Sequence, residues 1–277
     1  MLTNALILVA LTGSHHSVKP SSCCDMAMFA NDPAFISAHF APLPVTFKLK
    51  EGSTVSFSDA HGKTASGFWV APAPGAKAAV IMVHEFWGLN DYIRREAERL
   101  HDETGYAVLA VDLYEGKTST NAQEAGKLMQ GVDKVRAAAI VKGAVKSLKT
   151  GAFGFRAKKI GSVGYCFGGG WSEQTAIEGG KDVNASVMYY GMPDTSPEAM
   201  SKLKAPVLFI RATNDRWINA EVEAKFTAAM SAAHKPYGVL NYDADHAFAN
   251  PSNPKYNEKA AKDAHEHELD FFKKLLG

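Results

Sequence analysis

A chain of 277 residues with 46% hydrophobic side chains can bury one full core and does not require a second large domain. Thirty basic residues against 29 acidic ones leave a formal charge of +1, which excludes the strong single-sign field that draws nucleic acid or an anionic membrane. Three cysteines are too few for a disulfide framework.

The first feature along the chain is the apolar run Ala5 to Leu11, followed by Thr12-Gly13-Ser14. It has the length of a signal-peptide core and is too short to span a bilayer, although no Lys or Arg precedes it. Residues 1–25 are therefore expected to be a signal peptide and linker, which makes the protein periplasmic or secreted. Otherwise the run is an amphipathic arm and the protein is cytoplasmic. Cys23 and Cys24 are adjacent, with Cα atoms about 3.8 Å apart across a trans peptide. A disulfide between them would be strained, since bridges usually span roughly 4.4 to 6.8 Å. His15, His16, Cys23 and Cys24 match no zinc spacing, and a Ser/Pro-rich linker is the simpler reading, so no metal is expected there. Residues 26–53 form an extension expected to pack on the domain that follows, 54–277.

From Thr54 the pattern becomes regular. Thr54 to Phe57 and Thr64 to Val70 alternate as strands around a turn at Asp59-Ala60-His61-Gly62. Ala78 to His84 is a continuous apolar run, as in a strand buried on both faces. Asn90 to Thr104 has helical period, with Ile93, Ala97, Leu100 and Thr104 on one face and Asn90 or Asp91 as N-cap. Tyr106 to Leu113 is a strand, and Asn121 to Lys149 mainly helix. Lys159 to Tyr165 is a strand, and Phe167 to Glu178 a helix. Ala185 to Tyr190 and Pro206 to Ala212 are strands, with a helix from Asn219 to His234. Tyr237 to Tyr242 is the last strand and Lys255 to Leu276 the closing helix, with Leu269, Phe272 and Leu276 on its buried face. Such alternation implies an α/β fold with a mostly parallel sheet covered by helices on both sides. Its ligand site is expected beyond the carboxyl ends of the strands.

The strongest chemical signal lies at one such end, in Gly164-Tyr165-Cys166-Phe167-Gly168. It is the nucleophile-elbow pattern of the α/β-hydrolase fold, with cysteine in place of serine. The turn from strand to helix holds the thiol at a helix N-terminus, whose dipole favours a thiolate and a developing oxyanion. A buried structural cysteine in a glycine-rich turn is the plainer alternative. The nucleophile needs a base, and the base an orienting acid, in the chain order nucleophile, acid, base. Asp215 follows the strand ending at Ala212, although an acid there also suits an N-cap. His246 lies beyond the last strand and before the last helix. Asp243 and Asp245 are rival acids, each too near His246 in sequence to reach the outer imidazole nitrogen easily. His265 and His267 are expected on a solvated face of the closing helix. Glu85 ends the Ala78 to His84 strand. The backbone N–H groups of Phe86 and Phe167 are expected to form the oxyanion hole. Trp87, Tyr114, Trp217 and Phe248 fall at strand ends and can line an apolar pocket or pack in the core.

The stretches Val83-His84-Glu85-Phe86-Trp87-Gly88-Leu89-Asn90, Asp112-Leu113-Tyr114, Gly164-Tyr165-Cys166-Phe167-Gly168-Gly169, Tyr189-Tyr190-Gly191 and Asp245-His246-Ala247-Phe248 together resemble the dienelactone hydrolase (carboxymethylenebutenolidase) family. The resemblance runs from about Thr54 to the C-terminus. It implies a Cys-His-Asp triad of Cys166, His246 and Asp215 that cleaves a small ester or lactone without a cofactor. It also implies that Glu85 contacts the resting thiol and keeps it neutral until substrate displaces the carboxylate. Family members that act on dienelactones hold the substrate carboxylate with arginines, one of them four residues beyond the histidine. Here that position is Asn250, so the implied activity is the hydrolysis rather than dienelactone as its substrate. Two rivals stand beside this reading: a non-catalytic hydrolase-fold protein that binds a ligand or a protein, and thiol redox chemistry at Cys166.

Overall fold

A computed structural model describes residues 26–277; the expected signal peptide, Cys23 and Cys24 lie outside the described residues. Eight strands form one sheet in the order β1-β2-β4-β3-β5-β6-β7-β8: β1 Ser53–Ser58, β2 Thr64–Val70, β3 Ala78–Val83, β4 Ala107–Val111, β5 Lys159–Tyr165, β6 Ala185–Tyr189, β7 Val207–Ala212 and β8 Tyr237–Tyr242. The pairings β1/β2 and β2/β4 are antiparallel, and all the others are parallel. Every residue of β3, β4, β6 and β7 is buried, which is why β3 and β4 read as unbroken apolar runs.

The helices are α1 Pro33–Ala38, α2 Asp91–Thr104, α3 Ala122–Gln130, α4 Lys134–Thr150, α5 Phe167–Gly179, α6 Pro197–Lys202, α7 Ala220–Ala232 and α8 Glu258–Leu276. Asn90 Oδ1 accepts from Ile93 N at 3.2 Å, the side-chain cap expected of it. Neighbouring residues of β5 show how the sheet is covered. A Cβ on Gly161 would meet the Phe272 ring of α8, whereas the Ser162 hydroxyl donates to Ser172 O of α5 at 2.9 Å. Successive strand residues point to opposite faces, so α5 and α8 sit on opposite sides of the sheet.

Several expectations are corrected in detail. The helical region 121–149 is two helices, because Asp133 caps a new start at Lys134 by accepting from Val135 N and Arg136 N. The closing helix begins at Glu258 behind an Asn257 cap rather than at Lys255. His265 is buried, not solvated: its Nε2 pairs with Glu103, and its Nδ1 lies 3.5 Å from Glu268 Oε2. The residues that bury it belong to α2 and α8, two helices far apart in sequence. His267 stays half-exposed, as expected.

The chain before β1 also carries structure with no periodic signal. A 3₁₀ turn at Met26–Phe29 leads into α1, with Asp32 as N-cap and Pro33 in the first turn. Met26, Phe35 and His39 of this segment are buried against the domain.

Candidate active site

At the carboxyl end of β5, Cys166 adopts φ 55° and ψ −117°, a left-handed backbone unusual for a side chain with a Cβ. The bend is held by Cys166 N donating to Tyr189 O at 3.0 Å. The flanking glycines are steric necessities. A Cβ on Gly164 would stand 1.9 Å from Gly168 O, and one on Gly168 would stand 2.3 Å from Val83 O. Strand and helix therefore approach closely enough to force the thiol onto the crest of the turn. Phe167 opens α5, so its N–H has no carbonyl one turn earlier to bond.

Asp215 lies in the loop after β7. Its Oδ1 accepts from Trp217 N at 2.9 Å and Ile218 N at 3.0 Å, which leaves Oδ2 for His246 Nδ1 at 2.5 Å. Burial alone would raise the Asp215 pKa. The charge and hydrogen bond of His246, with the two backbone donors, bring it below the usual carboxylate value. The rival acids are occupied elsewhere: Asp243 accepts from Asn214 Nδ2 at 3.1 Å, and Asp245 pairs with Lys255 at 3.1 Å. His246 is itself buried, which opposes charge on the ring, yet the Asp215 carboxylate and the Cys166 sulfur raise its pKa well above the ordinary value. Its Nε2 has no hydrogen-bond partner among the described residues, and it lies within 4.8 Å of Cys166 Sγ.

The loop after β3 is tied down at several points. His84 Nδ1–H donates to Glu85 O at 2.8 Å, while its Nε2 accepts from Leu113 N at 3.1 Å. Tyr114 OH donates to Phe86 O at 3.2 Å. These bonds fix Phe86 at the end of β3 beside the elbow. Glu85 Oε1 accepts from Tyr190 OH at 3.3 Å and its Oε2 from the Asn250 amide. Burial pushes Glu85 up to about 7, against the lowering effect of Asn250, His246 and Tyr190. Asn250 thus binds an internal carboxylate.

What does meet the thiol is a residue the sequence gave no reason to choose. His39, at the end of α1, points Nε2 at Cys166 Sγ from 3.7 Å, while its Nδ1–H donates to Phe35 O at 2.8 Å. Phe35 sits over the same place, edge-on to Trp217 at 5.1 Å and 6.4 Å from the His246 ring. Trp217 Nε1 in turn donates to Asp32 Oδ2 at 3.1 Å. The only local hint was the capped turn Asp32-Pro33, which signals a helix but not its destination.

Set against known proteins, residues 66–276 match the model of the dienelactone hydrolase family. Protein usf of Aquifex pyrophilus is 32% identical over 235 residues, covering 81% of this chain and 99% of that protein. The carboxymethylenebutenolidase of Pseudomonas putida is 27% identical over 239 residues, covering 82% and 98% respectively. Among solved structures, the dienelactone hydrolase of Anabaena variabilis matches with TM-score 0.60 and 25% identity, covering 83% of this chain and all of that one. The chain belongs to the dienelactone hydrolase family. It is accordingly an ester or lactone hydrolase on an α/β-hydrolase fold.

Within this dienelactone hydrolase frame the four aromatic candidates separate. Trp217 faces the site, with its ring 6.1 Å from His246. Trp87 is buried edge-on against Phe86 at 5.0 Å, and Tyr114 packs between His84 and Phe167. Both support the walls of the site. Phe248 is a core residue, fully buried between Tyr190 and Tyr242, because the chain turns inward after His246. Arg211 pairs with Glu223 and donates to Ile218 O, bracing the Asp215 loop.

Proposed function

We propose that the protein hydrolyses a small carboxylic ester or lactone through a Cys166–His246–Asp215 triad and a thioester intermediate. The observation that carries this reading is the 2.5 Å contact of Asp215 Oδ2 with His246 Nδ1, which fixes the ring with Nε2 toward the elbow sulfur. Asp215 also favours positive charge on the ring, so His246 can hold the proton that Cys166 gives up as it attacks.

Thiolate attack on the substrate carbonyl forms the carbon–sulfur bond and moves the carbonyl pair onto oxygen. The N–H groups of Phe86 and Phe167 would hold that oxyanion; loss of one such donor elsewhere costs roughly 10² to 10³ in rate. As the tetrahedral intermediate collapses, the carbon–oxygen bond breaks and His246 gives its proton to the leaving alkoxide. Neutral His246 then takes a proton from water, hydroxide adds to the thioester, and the acid leaves as the thiolate–imidazolium pair returns. Glu85 serves in this scheme as an internal anchor bonded to Asn250 and Tyr190. Cys166 is only 1% exposed, so substrate enters by displacing Phe35 and His39.

The test compares wild type and Cys166→Ala on a panel of aryl esters and lactones, with intact-mass detection of an acyl adduct on Cys166. Turnover by Cys166→Ala equal to wild type would falsify the assignment.

A further inference from the structure

We propose that His39 Nε2, Cys166 Sγ and His246 Nε2 form a binding site for one thiophilic divalent cation, Zn²⁺ by its chemistry, whose occupancy shuts off hydrolysis. The three donor atoms lie within 4.8 Å of one another, and all three side chains are buried. His246 Nε2 has no hydrogen-bond partner among the described residues while being closed off from solvent. A buried polar nitrogen without a partner costs free energy, and a cation shared with the sulfur and His39 would give it one.

The second layer of contacts fits the same purpose. Metal-bound histidines donate their other ring N–H to a carboxylate or a backbone carbonyl, which fixes the tautomer and strengthens the ligand. Both arrangements are present. His246 uses Asp215 Oδ2 at 2.5 Å, and His39 uses Phe35 O at 2.8 Å. Each ring thereby turns its Nε2 toward the sulfur, His39 already unprotonated there and His246 once it has given up its proton to solvent.

The donor set also selects the ion. Two imidazoles and one thiolate suit zinc and its spectroscopic substitute cobalt, and disfavour Mg²⁺ and Ca²⁺, which take oxygen ligands. Zinc bonds of about 2.0–2.1 Å to nitrogen and 2.3 Å to sulfur place tetrahedral N and S donors about 3.6 Å apart. Cys166 Sγ and His39 Nε2 stand at 3.7 Å, so that edge needs almost no adjustment. Coordination releases one proton from the Cys166–His246 pair to solvent and ties up both the nucleophile and the base. It also clamps the N-terminal segment over the elbow through His39. A water molecule can complete the coordination sphere.

Binding is measured on the full chain without any ester, so its outcome is independent of the triad assignment. Zn²⁺ is titrated in competition with a chromophoric chelator, and Co²⁺ is followed by its sulfur-to-cobalt charge-transfer band. One equivalent is expected to bind, with about tenfold or greater weakening in His39→Ala and in the shape-conserving His39→Gln. The charge-transfer band is expected to vanish in Cys166→Ser, and His267→Ala on the exposed face of α8 is expected to bind as wild type does. With a turned-over ester, activity should fall in proportion to occupancy and return with EDTA. No stoichiometric binding, binding indifferent to both His39 variants, or full activity at full occupancy would each overturn the proposal.

Discussion

Two buried imidazoles face one sulfur from opposite ends of the chain, and their electrostatics diverge. His246, in the loop after β8, has a carboxylate behind it, and its pKa stands well above the ordinary value despite complete burial. His39, on the N-terminal segment, has only a backbone carbonyl behind it. Burial, followed by repulsion from His246, lowers its pKa to about 3. The rings share a neighbourhood but not a role, since the partner at Nδ1 decides whether a buried imidazole carries charge. The charged ring belongs to the domain, and the neutral one to the segment that covers it.

The largest effect that can break this comparison is the loss of the sulfur both rings address. Cys166→Ala is expected to reduce ester hydrolysis by roughly 10⁴-fold while leaving the thermal transition in place. Next comes the carboxylate. Asp215→Asn keeps the shape but removes the charge and the tautomer control, and should lower kcat by roughly 10²- to 10⁴-fold. If the loss were under threefold, the distinction drawn between the two rings would not stand.

The same rule is sharpened at Glu173 further along α5, a buried acid with no cation paired to it among the described residues. One oxygen accepts from Asp194 N at 2.6 Å, and burial pushes the group up to about 8. Its folded pKa lies above the unfolded value of 4.5, so its contribution to stability is complete below pH 4.5 and is lost as pH rises through about 8. Glu173→Gln removes that titration. The variant should match wild type near pH 5 and be more stable at pH 9, by on the order of 2–3 kcal/mol. Melting curves at the two pH values decide it, and an unchanged difference between them would contradict a protonated Glu173.

The smallest expected effect concerns the cover. Asp32 caps α1 by accepting from Ala34 N at 2.9 Å and accepts from Trp217 Nε1 at 3.1 Å. Asp32→Ala loosens both attachments and should speed alkylation of Cys166 by iodoacetamide by roughly three- to tenfold. A slower reaction would mean that the segment holds the thiol in a reactive state instead of shielding it.

Much of this molecule was legible before any coordinates. The unbroken apolar run at Ala78 became a central strand because a parallel sheet covered on both faces favours apolar residues at every position. The elbow was legible because Gly164 and Gly168 are demanded by contacts within a few residues. Asp215 and His246 were legible because this topology delivers loop ends to one edge of the sheet in fixed order. The partners of Glu85 were not legible, because Asn250 and Tyr190 come from other loops. His265 appeared amphipathic-polar, and only the packing of α8 on α2 buried it.

Local pattern by itself determined the strands, the Asn90 cap and the strained cysteine, because each rests on sterics or periodicity within a short window. Only tertiary structure decided what stands over the sulfur. His39 is 127 residues from Cys166, and no spacing rule connects them. Their meeting depends on how Phe35 fills the space between Phe86 and Trp217, and that packing is settled only once the sheet has assembled both walls.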